Sequence, residues 1–404
     1  MRASARQTHD LPAGARVTVS GRVVLAEARE FVLRDDTSSL RVAAKNALPA
    51  AGCWVTVHGL WNGSVMRAEQ IRVVASTARP GTSDGEWNWG QGRVAGSHGN
   101  HLEMLKARHR LLRGIRLFFD DQDFVEVETP AIVSSPGLEP HIEAFEVVGG
   151  DTTRWLHTSP EFQMKRLLAA GLPRIYQVCR VFRRHEQGHL HQPEFTLLEW
   201  YRTFAGSRDV MRDTERLVAA LAERLLQSHT IRGHGAPVDV SPPWDRVTLT
   251  EAFSRYADAN LQSVARDEEL FFRLLVEKVE PELGRGRPTF VTHYPASMAA
   301  LARLDAEDPR FADRFEAYVD GVELCNGYGE LVDSVEQRRR FERELKARQA
   351  RAAAIYPIDE RFLAALEEGV PPSGGNALGV DRLLMLILGV RQIEDAVAFG
   401  QSRL

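Results

Sequence analysis

From residue 14 to about residue 75 apolar and polar positions alternate along the chain. Val17, Val19 and Val23 recur at even spacing around Gly21, Val55 and Val57 repeat the pattern before Gly59, and Ile71 and Val73 close the segment. A two-residue period of β-branched side chains, broken at Asp35-Asp36 and Asn62-Gly63, predicts a small antiparallel β-barrel over 14–75. Residues 76–100 are rich in Gly and Ser and poor in core formers, which predicts a linker. From His101 the period changes. Leu105, Leu112, Ile115 and Phe119 fall at helical spacing with Lys106, Arg110 and Arg113 between them, so an amphipathic helix is expected. It runs into Phe124-Val-Glu-Val-Glu-Thr-Pro130, where Val125 and Val127 share one strand face and Pro130 ends the strand. The remainder mixes helices and strands without a solenoid period. The reading is a small barrel followed by a large α+β domain over residues 101–404, a division that suits a chain too long for one core.

Composition narrows the classes. The chain is 44% hydrophobic and 26% charged, as folded proteins are, and its net charge of −4 supplies no global basic field for nucleic acid. Cys53, Cys179 and Cys325 are far apart with no CxxC pair, which argues against a disulfide framework or a zinc site and suits a reducing cytoplasm. No apolar stretch reaches the ~20 residues of a membrane span. The opening MRASARQTHDLPAG lacks a signal-type apolar segment. A cytoplasmic protein with no membrane partner is expected.

Candidate chemistry lies in four segments. In Arg174–Arg202, two strand-like stretches flank a polar loop with Arg183, Arg184, His185, Glu186, His189 and His191. Adjacent arginines at a hairpin rim can present guanidinium forks to phosphate, although a solvated loop explains the same residues. The histidines lack a fourth ligand at zinc spacing. In Gly374-Gly-Asn-Ala-Leu-Gly379, small residues precede Asp381-Arg382 and an apolar helix, allowing a ligand close to the backbone. In Gly321–Glu330, the residues Asn326-Gly327 and Gly329 could bend the chain so that Glu323 and Glu330 meet around magnesium. Two unrelated surface glutamates are the ordinary alternative. The fourth segment is the helix leading into FVEVETP.

Taken in order, these segments resemble motifs 1, 2 and 3 of the class II aminoacyl-tRNA synthetases, lysine branch, over residues 101–404. Thr158-Ser-Pro-Glu161, Met164-Lys-Arg-Leu-Leu168 and Pro288-Thr-Phe-Val291 extend the likeness. It implies an antiparallel catalytic sheet flanked by helices, preceded by an OB-fold-like barrel over residues 14–75, and a homodimer through motif 1. Within the branch, His293-Tyr-Pro-Ala-Ser297 and Glu194-Phe-Thr-Leu-Leu-Glu-Trp-Tyr-Arg202 are similar to the elongation factor P–(R)-β-lysine ligases. Ala377 stands where lysyl-tRNA synthetases have glycine, a change that could reshape the amino-acid pocket or simply be neutral packing. The barrel points towards the tRNA-charging members. Yet their base-stacking Phe and base-reading Gln fall on Glu30 and Arg41 here, and glutamate cannot stack a base. Phe31, Trp54 and Trp61 could stack bases or be core. Three functions follow: modification of elongation factor P with β-lysine or lysine, charging of tRNA with lysine, or a non-catalytic tRNA- or factor-binding role.

The resemblance implies ATP and Mg2+ as cofactors and gives roles to residues. ATP contacts are expected from Arg183, Glu186, Gln192, Phe195, Glu323, Leu324, Gly379 and Arg382. Arg183 would hold the α-phosphate, and Phe195 and Arg382 would sandwich adenine. Amino-acid contacts are expected from Ser159, Pro160, Glu161, Tyr201, Glu330 and Ala377, and magnesium contacts from Glu323 and Glu330. Two departures from the family pattern stand out. His185 occupies the acid position of Arg-x-Glu, which shifts the adenine contact to Glu186, and Gln192 replaces the common Asn before Pro-Glu-Phe.

Overall fold

The computed structural model describes residues 1–35, 37–45, 47–76, 101–299 and 301–403. They fall into two compact units. The expected linker lies outside the described residues except for Ser76.

The first unit opens with helix α1 (Ala5–His9), capped by Ser4 in a capping box with Gln7. Strands β1 (Arg16–Glu27), β2 (Glu30–Arg34), β3 (Ser39–Ala43), β4 (Trp54–Trp61) and β5 (Met66–Ala75) then pair in a closed ring, β1-β2-β3-β5-β4. Alternate residues Val17, Val19, Val23, Val55 and Val57 fill its interior, as their spacing predicts. Gly21 is required by crowding, because a Cβ there would lie 2.4 Å from the Arg34 carbonyl oxygen. Phe31 and Trp61 are core at 1% exposure, whereas Trp54 is 52% exposed. Glu30 and Arg41 pair with each other at 2.6 Å across β2 and β3.

The second unit is built on an eight-stranded sheet. Its elements are helix α2 (His101–Asp120), strand β6 (Val125–Glu126), a small sheet of β7 (Ile132–Val133), β8 (Glu146–Val147) and β9 (Arg154–Leu156), and helix α3 (Glu161–Ala169). There follow β10 (Arg174–Phe182), β11 (Glu194–Thr203), α4 (Ser207–Leu226), the pair β12 (Thr230–Ile231) and β13 (Val238–Asp239), and β14 (Asp245–Thr248). Next are α5 (Leu249–Ala257), α6 (Leu261–Val264), α7 (Glu268–Leu274), β15 (Thr289–Pro295), β16 (Phe311–Val319) and β17 (Val322–Gly329). The last are α8 (Ser334–Ala350), α9 (Glu360–Glu368), β18 (Ser373–Gly379) and α10 (Val380–Leu388).

The large sheet runs β14-β15-β16-β17-β18-β11-β10-β6, antiparallel except at its two edges. This is the expected fold class. One face of β11, β17 and β18 packs Leu198, Trp200, Leu324 and Leu378 against apolar residues of α2, α4 and α10. In α2 the buried stripe is Met104, Ala107, Leu111, Ile115 and Phe119, so Leu111 rather than Leu112 faces fully inward. The opposite face of the same strands is the floor of the site.

Candidate active site

The floor follows from strand register. Glu199 of β11 pairs with Ala377 of β18, which pairs with Asn326 of β17. One step along, Tyr201, Gly375 and Tyr328 are aligned in the same way. Side chains two apart share a face, so Phe195, Leu197, Glu199 and Tyr201 line one wall of a cavity of about 680 Å3. Gly375 keeps this floor low: a Cβ there would meet Glu330 Oε1 at 2.2 Å and the Tyr201 ring at 2.4 Å.

All the residues given ATP, amino-acid or magnesium contacts line this cavity except Pro160, whereas Arg184, His185 and His189 of the same loop do not. Pro160 is buried and serves instead as the residue that starts α3. At one end, Arg183 follows β10 and its guanidinium lies over the Phe195 ring at 5.1 Å. Its Nη1 is 3.6 Å from Glu186. His185 has a left-handed backbone, φ 68, and its side chain points out to Glu143 while Glu186 turns inward. Arg382 of α10 donates to the Glu323 carbonyl at 2.8 Å and to its carboxylate at 3.2 Å. Phe195 and Arg382, expected on either side of adenine, both line the cavity, and Glu323, Leu190 and His191 anchor the Arg382 guanidinium. Gln192 is buried and accepts from the Gln401 N–H.

The other end is acidic and buried. Ser159 donates to Glu199 Oε1 at 2.6 Å, Tyr201 donates to Glu199 Oε2 at 2.9 Å, and Ser159 also accepts from the Glu161 N–H. Burial, reinforced by the charge of Glu161, pushes the Glu199 carboxyl up to about 8. Burial also raises Glu330, to about 7, against the opposing pull of Lys165. Lys165 Nζ lies 2.6 Å from Glu161 Oε1 and 2.5 Å from Glu330 Oε2.

The expected magnesium residues, Glu323 and Glu330, both line the cavity. They lie on and just past β17, whose pairing with β16 shifts register at Leu324, between Glu323 and Cys325. Each carboxylate has its own cation, Arg382 or Lys165. Burial first, then the charges of Glu323 and Glu316, raise Glu280 to about 7. Glu316 accepts from Tyr294, Tyr318 and Arg314. Among the described residues no group of three His, Cys, Asp or Glu side chains could hold a metal.

Sequence reading missed Glu199, Lys165 and Glu316. A signal existed for Glu199: an acid inside the apolar run Leu197-Leu-Glu-Trp-Tyr201, two residues from Tyr201 and so on its face. For Lys165 the signal was its four-residue offset from Glu161 on a helix. Glu316 had none, because its relation to Glu323 crosses two strands.

Known proteins place this geometry. Residues 95–403 match the family described as tRNA synthetases class II (D, K and N). Elongation factor P–(R)-β-lysine ligases from Edwardsiella ictaluri and Proteus mirabilis are each 42% identical over 312 residues, covering 74% of this chain and 95% of each relative. The ligase of Enterobacter sp. (strain 638) is 41% identical over the same length and coverage. With most of its length matched to that profile, this chain belongs to the class II tRNA synthetases of the D, K and N group.

Proposed function

We propose that this chain activates (R)-β-lysine, or lysine, as its adenylate and transfers it to an amine of elongation factor P. The carrying observation is one cavity with arginines at one end and buried carboxylates at the other. A molecule bearing a carboxylate and two ammonium groups fits between them, its anionic end towards ATP and its cationic groups towards Glu161, Glu199 and Glu330. The names of the relatives support both the amino acid and the acceptor.

In the first step the carboxylate oxygen attacks the α-phosphorus in line, an O–P bond forms, and pyrophosphate leaves. The nucleophile is already anionic, so positioning and charge stabilisation carry the catalysis. Arg183 holds the α-phosphate oxygens, and Arg382 takes the β- and γ-phosphates or the open face of adenine. Glu186 and Gln192 orient the base, with Phe195 as its platform, while Leu324 and Gly379 offer backbone close to the nucleotide. Glu323 and Glu330 are the carboxylates that would hold Mg2+, an ion that takes oxygen ligands. It would supply charge neutralisation of the triphosphate. In the second step the neutral side-chain amine of an acceptor lysine attacks the adenylate carbonyl, a C–N bond forms, the C–O bond to AMP breaks, AMP leaves as an anion and the amine's proton passes to solvent.

The dimer belongs to the proposal. Leu117 and Val125 on motif 1, and Ile132 just after it, are 38%, 47% and 52% exposed, which suits a two-fold interface. Three free cysteines suit a cytoplasmic location, and no described helix is long and apolar enough to cross a membrane. The test is ATP–pyrophosphate exchange with each lysine isomer, followed by labelling of purified elongation factor P. Stable charging of tRNA without labelling of the factor would favour the tRNA synthetase reading, to which the N-terminal barrel lends support. No exchange with any amino acid would leave only a binding role.

A further inference from the structure

Lys165 has a placement that ordinary surface ion pairing does not explain. It sits one turn beyond Glu161 on α3, its side chain is 2% exposed, and it does not itself line the cavity. Its ammonium contacts Glu161 Oε1 at 2.6 Å and Glu330 Oε2 at 2.5 Å, and both of those residues do line the cavity. Beneath it, the Phe362 ring lies 5.9 Å from Nζ. Each carboxylate thus spends one oxygen on Lys165 and keeps the other. Both Glu330 oxygens are buried without a hydrogen-bond partner among the described residues; Oε2 is met by the Lys165 ion pair alone, which leaves Oε1. It is also the atom that a Cβ at Gly375 would meet at 2.2 Å, which puts it against the floor.

Resting on the proposed activity, we propose that Lys165 is a positioning residue for the amino acid: from behind the pocket wall its ammonium draws the Glu161 and Glu330 carboxylates together and aims them, so that their other oxygens face the substrate's ammonium groups. Two physical points support the assignment. A buried ion pair adds little stability over well-packed apolar residues of similar size, so stability alone gives weak reason for an ammonium here. Without it, the two carboxylates that now converge on one ammonium would repel each other and swing apart. Their oxygens would then no longer be held where an ammonium is received.

The test compares Lys165→Met, Lys165→Arg and the wild type in ATP–pyrophosphate exchange, with Tm and direct ATP titration as fold controls. For Lys165→Met the KM for lysine or (R)-β-lysine should rise about 100-fold, with the KM for ATP within about threefold of wild type. Lys165→Arg, which restores a cation in an imperfect shape, should recover a substantial part of the lost amino-acid KM. If Lys165→Met does not fold, Lys165→Gln, which is polar but uncharged, takes its place with the same expectation. An amino-acid KM unchanged in a folded variant overturns the proposal, as does an equal rise in both KM values. Absence of exchange in the wild type would instead sink the proposed activity itself, so the two failures are distinct.

Discussion

At the arginine end of the cavity, Arg183 and Arg382 keep 26% and 17% of their side chains exposed and reach their partners through long flexible stems. At the carboxylate end, Glu199 and Glu330 are 1% and 2% exposed and held by Ser159, Tyr201 and Lys165. The first end is made of groups that stay charged at any working pH. The second is made of groups whose charge is costly where they sit, so burial raises Glu199 to about 8 and Glu330 to about 7. A triphosphate brings its own large charge to the first end, whereas the second must wait for a cation to make its ionised form favourable. Binding strength at the arginine end should therefore be nearly independent of pH, and selectivity and pH dependence should both lie at the carboxylate end.

Removing a cation from the arginine end should have the largest effect. Arg183→Ala deletes the guanidinium that would face the charge developing on the α-phosphate, and adenylate formation should fall by on the order of 10²–10³, as when a single oxyanion donor is lost. Exchange kinetics at saturating amino acid measure this, and near-normal turnover would take Arg183 out of the site. The next largest effect tests the other end. Glu330→Gln keeps the shape but leaves Lys165 with one carboxylate and the substrate ammonium without its anion. The KM for the diamino acid should rise about 100-fold, in line with loss of a buried charge partner, while the KM for ATP stays within about threefold. A parallel rise in both constants would show that the two ends are not separate.

The same contrast explains what could be read from the sequence. Arg183, Glu186 and Gln192 belong to a polar loop between two apolar strands, where motif order alone marks them. The barrel was equally open to reading, since Val17, Val19, Val55 and Val57 alternate and do fill its interior. The carboxylate end was hidden. Glu199 lies in a strand that reads as core, and Lys165 in a helix that reads as amphipathic surface. Contacts across strands are not encoded in spacing along one strand, so the place of Glu316 opposite Asn326 of β17 carried no signal.

A smaller effect, of about 50-fold, is expected from pH. In the free enzyme Glu199 binds a proton up to about 8, and an ammonium ligand must displace it. The kcat/KM for the amino acid should therefore fall as pH drops from 8 to 6, while the KM for ATP changes little. The stability linkage has its own sign. Because the folded pKa of Glu199 lies above its unfolded value, the stability contributed by its neutral form is complete below about 4.5 and is lost as pH rises towards 8. Glu199→Gln should thus raise Tm relative to wild type at pH 8 and leave it nearly unchanged at pH 4.5, while weakening amino-acid binding. A Tm that falls at pH 8 would mean that the carboxylate is held for stability.

The smallest expected effect comes from the one methyl group on the floor between the two ends. Ala377 pairs in register with Glu199 on one side and Asn326 on the other, so its Cβ stands beside the carboxylate that would receive an amino group. In an α-amino acid that ammonium is on the carbon next to the carboxylate, and in a β-amino acid it is one carbon further. With the carboxylate fixed against the α-phosphorus, a shift of one carbon moves the ammonium by about one bond length across this floor. A methyl group there can discriminate only by filling the space one isomer needs, and a single methylene in a pocket is worth about 1–3 kcal/mol. Ala377→Gly should change the ratio of kcat/KM for (R)-β-lysine over lysine by about 10-fold, in favour of lysine, with no change in the KM for ATP. Exchange measured with both isomers on both proteins reads the ratio directly. An unchanged ratio would move isomer choice off the floor and onto the carboxylates around it.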